Sequence, residues 1–278
     1  MAIEVKPITP AVGADIYGAD VSRESDIEDI RQAFINHSVV AIRGLNLTPD
    51  EHLAFARKWG EINVNRFFTP VEGYPEIATV LKEADQTVAI GETWHTDHSY
   101  DLAPAMCSML YAIETPPVGG DTAFASQHAA YMALSDGMKK MLGNLNAWHS
   151  SRHAFGATLV DEEAHQDGRL GNEANAKQDA LHPVVVKHPL SGKKCLYVNG
   201  DFTTHFDGWT KEESQPLLNQ LYAHCSRADF TCRIKWEPGT LAIWDNQALQ
   251  HMAINDYAGH RRLMHRITIE GVPLSSSS

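Results

Sequence analysis

Five side chains in this sequence are of the types needed to hold a metal and two anions. His95 and Asp97 lie in Trp94-His95-Thr96-Asp97, His251 follows Trp244-Asp245-Asn246, and Arg262 and Arg266 lie near the end of the chain. Two imidazoles and one carboxylate are the set with which non-haem Fe(II) oxygenases grip their metal on one face, leaving the opposite positions open for co-substrate and dioxygen. In extended backbone, residues two apart project to the same side, about 6–7 Å from one another. His95 and Asp97 can therefore converge on one ion while Thr96 faces away, and the second imidazole must come from elsewhere in the chain. Two rival uses of the same residues exist: a zinc hydrolase with three protein ligands and a bound water, and a metal-free barrel that binds an anion.

A lone His-x-Asp says little in a chain with 15 His and 35 acidic residues. The C-terminal strand signal, Arg261 to Ile269, adds the information. Period-two alternation puts Arg262, Met264, Arg266 and Thr268 on one side, and Leu263, His265, Ile267 and Ile269 on the other, more apolar one. Arginine is rarely buried without a partner. Two guanidiniums on one strand face thus imply an exposed edge carrying protective charge or bound anions, and their position eleven and fifteen residues after His251 favours anions. A planar guanidinium recognises a carboxylate or sulfonate in a bidentate way that lysine does not reproduce. Four residues apart, the two would lie about 13 Å from one another along a strand, one for each anion. The zinc reading leaves Arg262 without a task.

On these motifs the chain resembles the taurine dioxygenase and phenoxyalkanoate (2,4-D type) dioxygenase family of Fe(II)- and 2-oxoglutarate-dependent oxygenases, from about Val5 to Val272. The resemblance implies that His95, Asp97 and His251 bind Fe(II), and that Arg262 pairs with the distal carboxylate of 2-oxoglutarate. Thr122, in Gly119-Gly120-Asp121-Thr122, would hydrogen-bond that same carboxylate. Arg266 would grip the substrate's own anionic group, and Phe155 and Phe202 would wall the substrate pocket, with His98 beside them. It further implies hydroxylation of a substrate carbon by O2, with 2-oxoglutarate leaving as succinate and carbon dioxide. Where that carbon carries a heteroatom, cleavage of the carbon–heteroatom bond follows. Ether carboxylates such as phenoxyalkanoates, alkyl sulfates and sulfonates are the candidate substrates. Ala89-Ile90-Gly91-Glu92-Thr93 lacks the asparagine-rich run of the taurine enzymes, and His98 stands where they carry a small apolar residue. The C-terminal third looks nearer to the phenoxyalkanoate branch.

The elements that must position these groups read as mainly β with flanking α-helices. Val39-Val40-Ala41-Ile42 is expected as a buried strand, and Thr48-Pro49-Asp50-Glu51 as the capping box of a helix ending near Gly60. A second helix starts at Thr210 with Glu213 three residues on, and carries Leu217, Leu221, His224 and Cys225 at helical spacing. Pro183–Lys187 and Lys194–Val198 flank a turn in a hairpin pattern, Cys232, Ile234 and Trp236 alternate, and Leu241–Trp244 is the next strand. Many short strands indicate a barrel or sandwich, which the resemblance narrows to a double-stranded β-helix, or jelly-roll, core. His149, His153, His182, His188, His224 and His265 are expected to be packing or surface histidines.

The 278 residues are expected to form a single domain, 1–278, with a polar insertion or lid at about 156–181 and a short tail at 275–278. Hydrophobic content of 43% and charged content of 21% are ordinary for a globular chain. A net charge of −12 excludes nucleic acid as a partner and leaves the attraction of an anion to local cations. Four Cys at scattered spacing point to buried thiols. The start has no apolar region for secretion, and no run is long enough for a membrane span. A cytoplasmic protein with a small organic anion as substrate is expected, and a homo-oligomer is compatible with the sequence.

Overall fold

The computed structural model describes residues 3–156, 167–171 and 173–276. Its core strands are β1 (Val39–Ile42), β2 (Tyr74–Lys82), β3 (Cys107–Glu114), β4 (Thr122–Ser126), β5 (Thr231–Ile234), β6 (Leu241–Asp245), β7 (Leu249–Ala253) and β8 (Arg262–Ile269). In the larger sheet β1, β6, β3, β8 and β2 lie side by side in that order, each antiparallel to its neighbour. Ala14–Tyr17 extends it in parallel beyond β1. A 3-stranded antiparallel sheet, in the order β5, β4, β7, faces it. Between the sheets pack Leu110, Phe124, Trp236, Trp244 and Met264.

The strand period decides what faces where. Along β3, Cys107, Met109 and Tyr111 join a cluster outside the larger sheet, whereas Leu110 and Ala112 point between the sheets. Ser108 shares their parity. In β8, Ile267 and Ile269 belong to the outer cluster while Met264 points inward, and Arg262, Arg266 and Thr268 share its side. The outer cluster is closed by α1 (Glu24–His37) and α2 (Pro49–Arg57), through Ile27, Ile30, Phe34, Leu53 and Phe55. Both faces of these strands are covered, which is why β1 reads as an unbroken apolar run.

Local signals explain the helices. Thr48 accepts from the backbone N–H of Glu51 at 3.2 Å, and the Glu51 carboxylate accepts from the backbone N–H of Thr48 at 2.8 Å, the reciprocal pattern that satisfies two otherwise orphaned donors. Pro49 opens the helix, which stops at Arg57, before Gly60. The same box at Thr210 and Glu213 starts α3 (Lys211–Cys225). Its buried stripe runs through Ser214, Leu218, Leu221 and Cys225, with Leu217 only partly covered. The hairpin pairs Val185–Lys187 with Lys194–Leu196 as expected, and all four cysteines are free and buried.

The structure settles several points that the sequence left open. β8 lies between β3 and β2, so its arginines are interior and the exposed-edge alternative falls. His95 and Asp97 do not lie in a regular strand, because a single bridge from His95 to His251 is followed at once by a turn. Pairing on one side ends there, and the turn aims Asp97. The polar insertion is shorter than 156–181: Asp179–Pro183 is a strand paired with Asn146–Ser150, and Leu170 bridges Phe68. Residues 157–166 and 172, within the segment of about 156–181 expected as an insertion or lid, lie outside the described residues. Ser275 and Ser276 are no loose tail, since they pair with Lys187 and Val186. Among the described residues, no helix is long and apolar enough to cross a membrane.

Candidate active site

His251 comes from the middle of β7, whose backbone exchanges both hydrogen bonds with His95, His95 N to His251 O at 3.1 Å and His251 N to His95 O at 2.8 Å. This pairing carries the first motif to the second, across 156 positions of sequence, and sets the two rings 4.1 Å apart between centroids. Ligand atoms of His95, Asp97 and His251 lie within 4.8 Å of one another, and all three residues are buried. Nε2 of His95 is 3.6 Å from Asp97 Oδ1, and Nε2 of His251 is 3.6 Å from Asp97 Oδ2. His95 donates from Nδ1 to the Thr93 carbonyl at 2.8 Å, which fixes the ring and leaves Nε2 as the atom turned toward Asp97. Thr96 turns away and donates to the Leu249 carbonyl. The approach is close: a Cβ on Gly91, which has φ +82°, would stand 3.0 Å from the His95 ring.

Charge balance prepares these groups as ligands. Burial by itself would raise the Asp97 pKa, but Arg266, His251 and His95 outweigh it and hold the carboxyl well below the usual range. Burial, together with the charges of His95 and Arg266, pushes His251 down and keeps it neutral. His95 goes the other way: burial lowers it, yet Asp97, Asp201 and the Thr93 carbonyl raise it overall. A divalent ion requires a deprotonated carboxylate and neutral imidazoles; Asp97 and His251 are held in that state, and His95 would give up its proton to the incoming ion, so the donor types fit the metal expected from the sequence.

Asp97 has further supports that sequence reasoning missed. The Ser108 hydroxyl, fully buried on β3, donates to Asp97 Oδ2 at 3.0 Å and accepts from Asn246 Nδ2 and Arg266 Nη2, both at 3.1 Å. Arg266 also pairs directly with Asp97 Oδ2 at 2.7 Å. The arginine expected to hold the substrate's anion therefore already touches a carboxylate of the chain, while its Nε has no hydrogen-bond partner. A serine inside an apolar strand, facing the same way as Leu110, was the available signal for Ser108.

Arg262 lies at the opposite end of the inward face of β8. It is 6% exposed, its Nε has no hydrogen-bond partner, and its guanidinium lies 5.5 Å from the Trp236 ring centroid. Burial lowers its pKa, against the raising influence of Tyr257 and Asp121. Thr122 stands nearby, at the start of β4, and accepts from Trp236 Nε1 at 3.0 Å. That bond leaves the hydroxyl proton of Thr122 to give. Arg262, Arg266, Thr122, Phe155, Phe202, His98 and the three ligand candidates all line one cavity of about 790 Å³.

Part of the cavity wall is an aromatic cluster. Phe67 stacks on Phe155 at 4.4 Å, Tyr100 meets Phe202 edge-on at 5.0 Å, and Phe155 and Phe202 lie 5.9 Å apart. His98 sits at φ 58° with Nδ1 3.0 Å from Asp101 Oδ2. Of the histidines set aside, His224 bonds the Ala130 carbonyl and His182 the Asp101 carbonyl. His188 is buried against Asp245, and His149 meets Ser99. The His153 side chain lies outside the described part.

With this geometry in view, comparison with known proteins decides the family. A family model described as "Taurine catabolism dioxygenase TauD, TfdA family" matches residues 4–268. The chain belongs to this family. It is 30% identical over 98% of its length to an "Alpha-ketoglutarate-dependent sulfate ester dioxygenase" from Pseudomonas putida, covering 90% of that protein. It is 29% identical over 96% of its length to an "Alpha-ketoglutarate-dependent 2,4-dichlorophenoxyacetate dioxygenase" from Cupriavidus pinatubonensis, covering 98% of it. A solved structure described as a putative alpha-ketoglutarate-dependent taurine dioxygenase, from Burkholderia xenovorans, superposes with a TM-score of 0.82 at 32% identity, covering 99% of this chain and 95% of that one. The chain is thus a 2-oxoglutarate-dependent dioxygenase with a jelly-roll core, as the motifs implied. The hydrolase and the non-catalytic barrel fall away.

Proposed function

We propose that this dioxygenase uses Fe(II), held by His95, Asp97 and His251, to hydroxylate a carbon of a small organic anion and, where that carbon bears oxygen or sulfur, to release the heteroatom group. The observation that carries this reading is the convergence of the three ligand candidates on a cavity that Arg262, a buried guanidinium with no carboxylate within ion-pair distance among the described residues, also lines. Ferrous iron at these ligands would supply the activation of dioxygen at the expense of 2-oxoglutarate, which leaves as succinate and carbon dioxide.

The chain's own residues do the rest. Arg262 takes the distal carboxylate of 2-oxoglutarate in bidentate fashion, and Thr122 adds its hydroxyl proton. Ser108 and Arg266 fix one oxygen of Asp97, so the other stays aimed at His95. Arg266 also faces the cavity, where its remaining donors can reach the substrate's anionic head, with His98 beside it. Phe155, Phe202 and their aromatic neighbours exclude water from the apolar part of the substrate and orient it. Such walls suit aryl and alkyl ether carboxylates, alkyl sulfates and sulfonates, the classes that span the substrates in the relatives' names. We place the enzyme in the cytoplasm, since four free, buried thiols fit a reducing compartment.

Anaerobic addition of Fe(II) and 2-oxoglutarate tests the metal and co-substrate together, through the weak visible charge-transfer band of a chelated keto-acid. Absence of the band with correctly folded protein would refute the assignment. Screening phenoxyalkanoates, alkyl sulfates and sulfonates for stimulated succinate release then identifies the substrate class.

A further inference from the structure

Directly across from Arg262, at the end of β2, stands Lys82. The two are paired positions of the antiparallel ladder, so their side chains project from the same face of the sheet as close cross-strand neighbours. Two residues earlier on β2, Val80 lines the cavity that Arg262 lines. Lys82 is 3% exposed, and its Nζ has no hydrogen-bond partner. It lies 4.7 Å from the centre of the Tyr257 ring, and Tyr257 in turn is near enough to Arg262 for the two to interact electrostatically. Among the described residues, neither cation has a carboxylate within ion-pair distance.

Lysine is almost never fully buried unless paired, and a buried ammonium without a counter-ion carries a heavy desolvation penalty. The face of a tyrosine ring offsets part of that penalty. It does not offset all of it, least of all with a second positive charge one strand away. The arrangement is balanced when an anion enters between them. By contrast Arg266, at the other end of the inward face, already has Asp97.

We propose that Lys82 is the second cation of the socket that holds the distal carboxylate of 2-oxoglutarate, an inference that rests on the function proposed above. Lys82 is a positioning and selectivity residue: it touches none of the reacting atoms and makes the socket prefer a dicarboxylate to a 2-oxo acid with an uncharged tail. The Tyr257 ring holds the ammonium in place, and Arg262 supplies the directional hydrogen bonds.

The test is calorimetric binding to Mn(II)-loaded full-length protein under conditions without turnover. Lys82→Met should bind 2-oxoglutarate about tenfold more weakly than the unaltered protein, the scale of one charge-assisted hydrogen bond. Mn(II) affinity should be unchanged. Lys82→Arg should recover most of the loss, and 2-oxopentanoate, of the same length but without the distal carboxylate, should show no comparable penalty. Should the methionine variant not fold, Lys82→Gln removes the charge while keeping a polar head. An affinity for 2-oxoglutarate within twofold of the unaltered protein, an equal loss for both acids, or failure of Lys82→Arg to rescue a folded protein would overturn the proposal. If the unaltered Mn(II) protein binds no 2-oxoglutarate at all, the fault lies with the proposed function and not with Lys82.

Discussion

The two ends of β8 present the same side chain to the same cavity in opposite electrostatic states. Arg266 is paired with Asp97 and Ser108, whereas Arg262 has an aromatic ring beside it and, among the described residues, no carboxylate within ion-pair distance, Asp121 acting on it only from farther away. A guanidinium left without a counter-charge in a buried position is one whose partner arrives from outside. A guanidinium already paired to a candidate metal ligand serves that ligand first, and an incoming anion must share it. On the proposed function, one end would receive the co-substrate, and the other would couple the substrate's head to the metal centre.

The largest effect should come from the carboxylate that links the two functions. Asp97→Ala removes a ligand and strands Arg266, so substrate-dependent succinate release should fall to background; turnover persisting at even a tenth of the original rate would show that Asp97 is not a ligand. At the receptor end, Arg262→Met should raise the 2-oxoglutarate concentration needed for half-maximal rate by about 30-fold or more, since truncating one member of a buried charge pair costs at least about 2 kcal/mol. Substrate KM should hardly move. Arg266→Ala should shift both metal affinity and substrate KM, and a change in KM alone would show that the 2.7 Å pair does not govern Asp97.

A subtler change sharpens the coupling end. Ser108→Ala leaves the ion pair intact but removes the hydroxyl that bridges Asp97, Asn246 and Arg266. Losses of metal affinity or activity on the order of 10–100-fold are typical for such outer supports. Titration with Fe(II) or Mn(II) measures it, and an unaltered metal affinity and rate would reduce Ser108 to packing.

The smallest effect lies on the other side of the larger sheet, where stability can be changed without touching either arginine. His52 of α2 is fully enclosed. Burial, with the added charge of His265, lowers its pKa to about 3. Between pH 3 and its ordinary value near 6.5 the unfolded chain binds more protons than the folded one, so stability is complete above that range and is lost as pH falls through it. One such group makes the protein about 2 kcal/mol less stable at pH 5 than at pH 7. Urea unfolding at both pH values should show a smaller difference for His52→Leu, and an identical pH dependence would rule His52 out as its source.

How much of this was legible in the sequence follows from what each residue type can signal alone. His95, Asp97, His251 and Arg262 announce themselves because charged and ligating groups are costly to bury without a purpose. The capping boxes at Thr48 and Thr210 are local in sequence and were readable for that reason. Whether β8 was an edge or an inner strand was not readable, because neighbour order is a long-range property that no window of residues contains. The pairing of Arg266 with Asp97 was hidden for the same cause. Ser108 and Lys82 were missed because a small hydroxyl or a lysine at a strand end looks ordinary until its burial and its neighbours are known.

The inner placement of β8 has a consequence for how such an enzyme diversifies. A strand gripped on both sides does not slide independently, so on the proposed function the interval between the co-substrate's anchor and the substrate's anchor would act as a fixed ruler built into the backbone. Longer or bulkier substrates must then be accommodated by reshaping the side walls of the chamber, with the ruler itself left as it is.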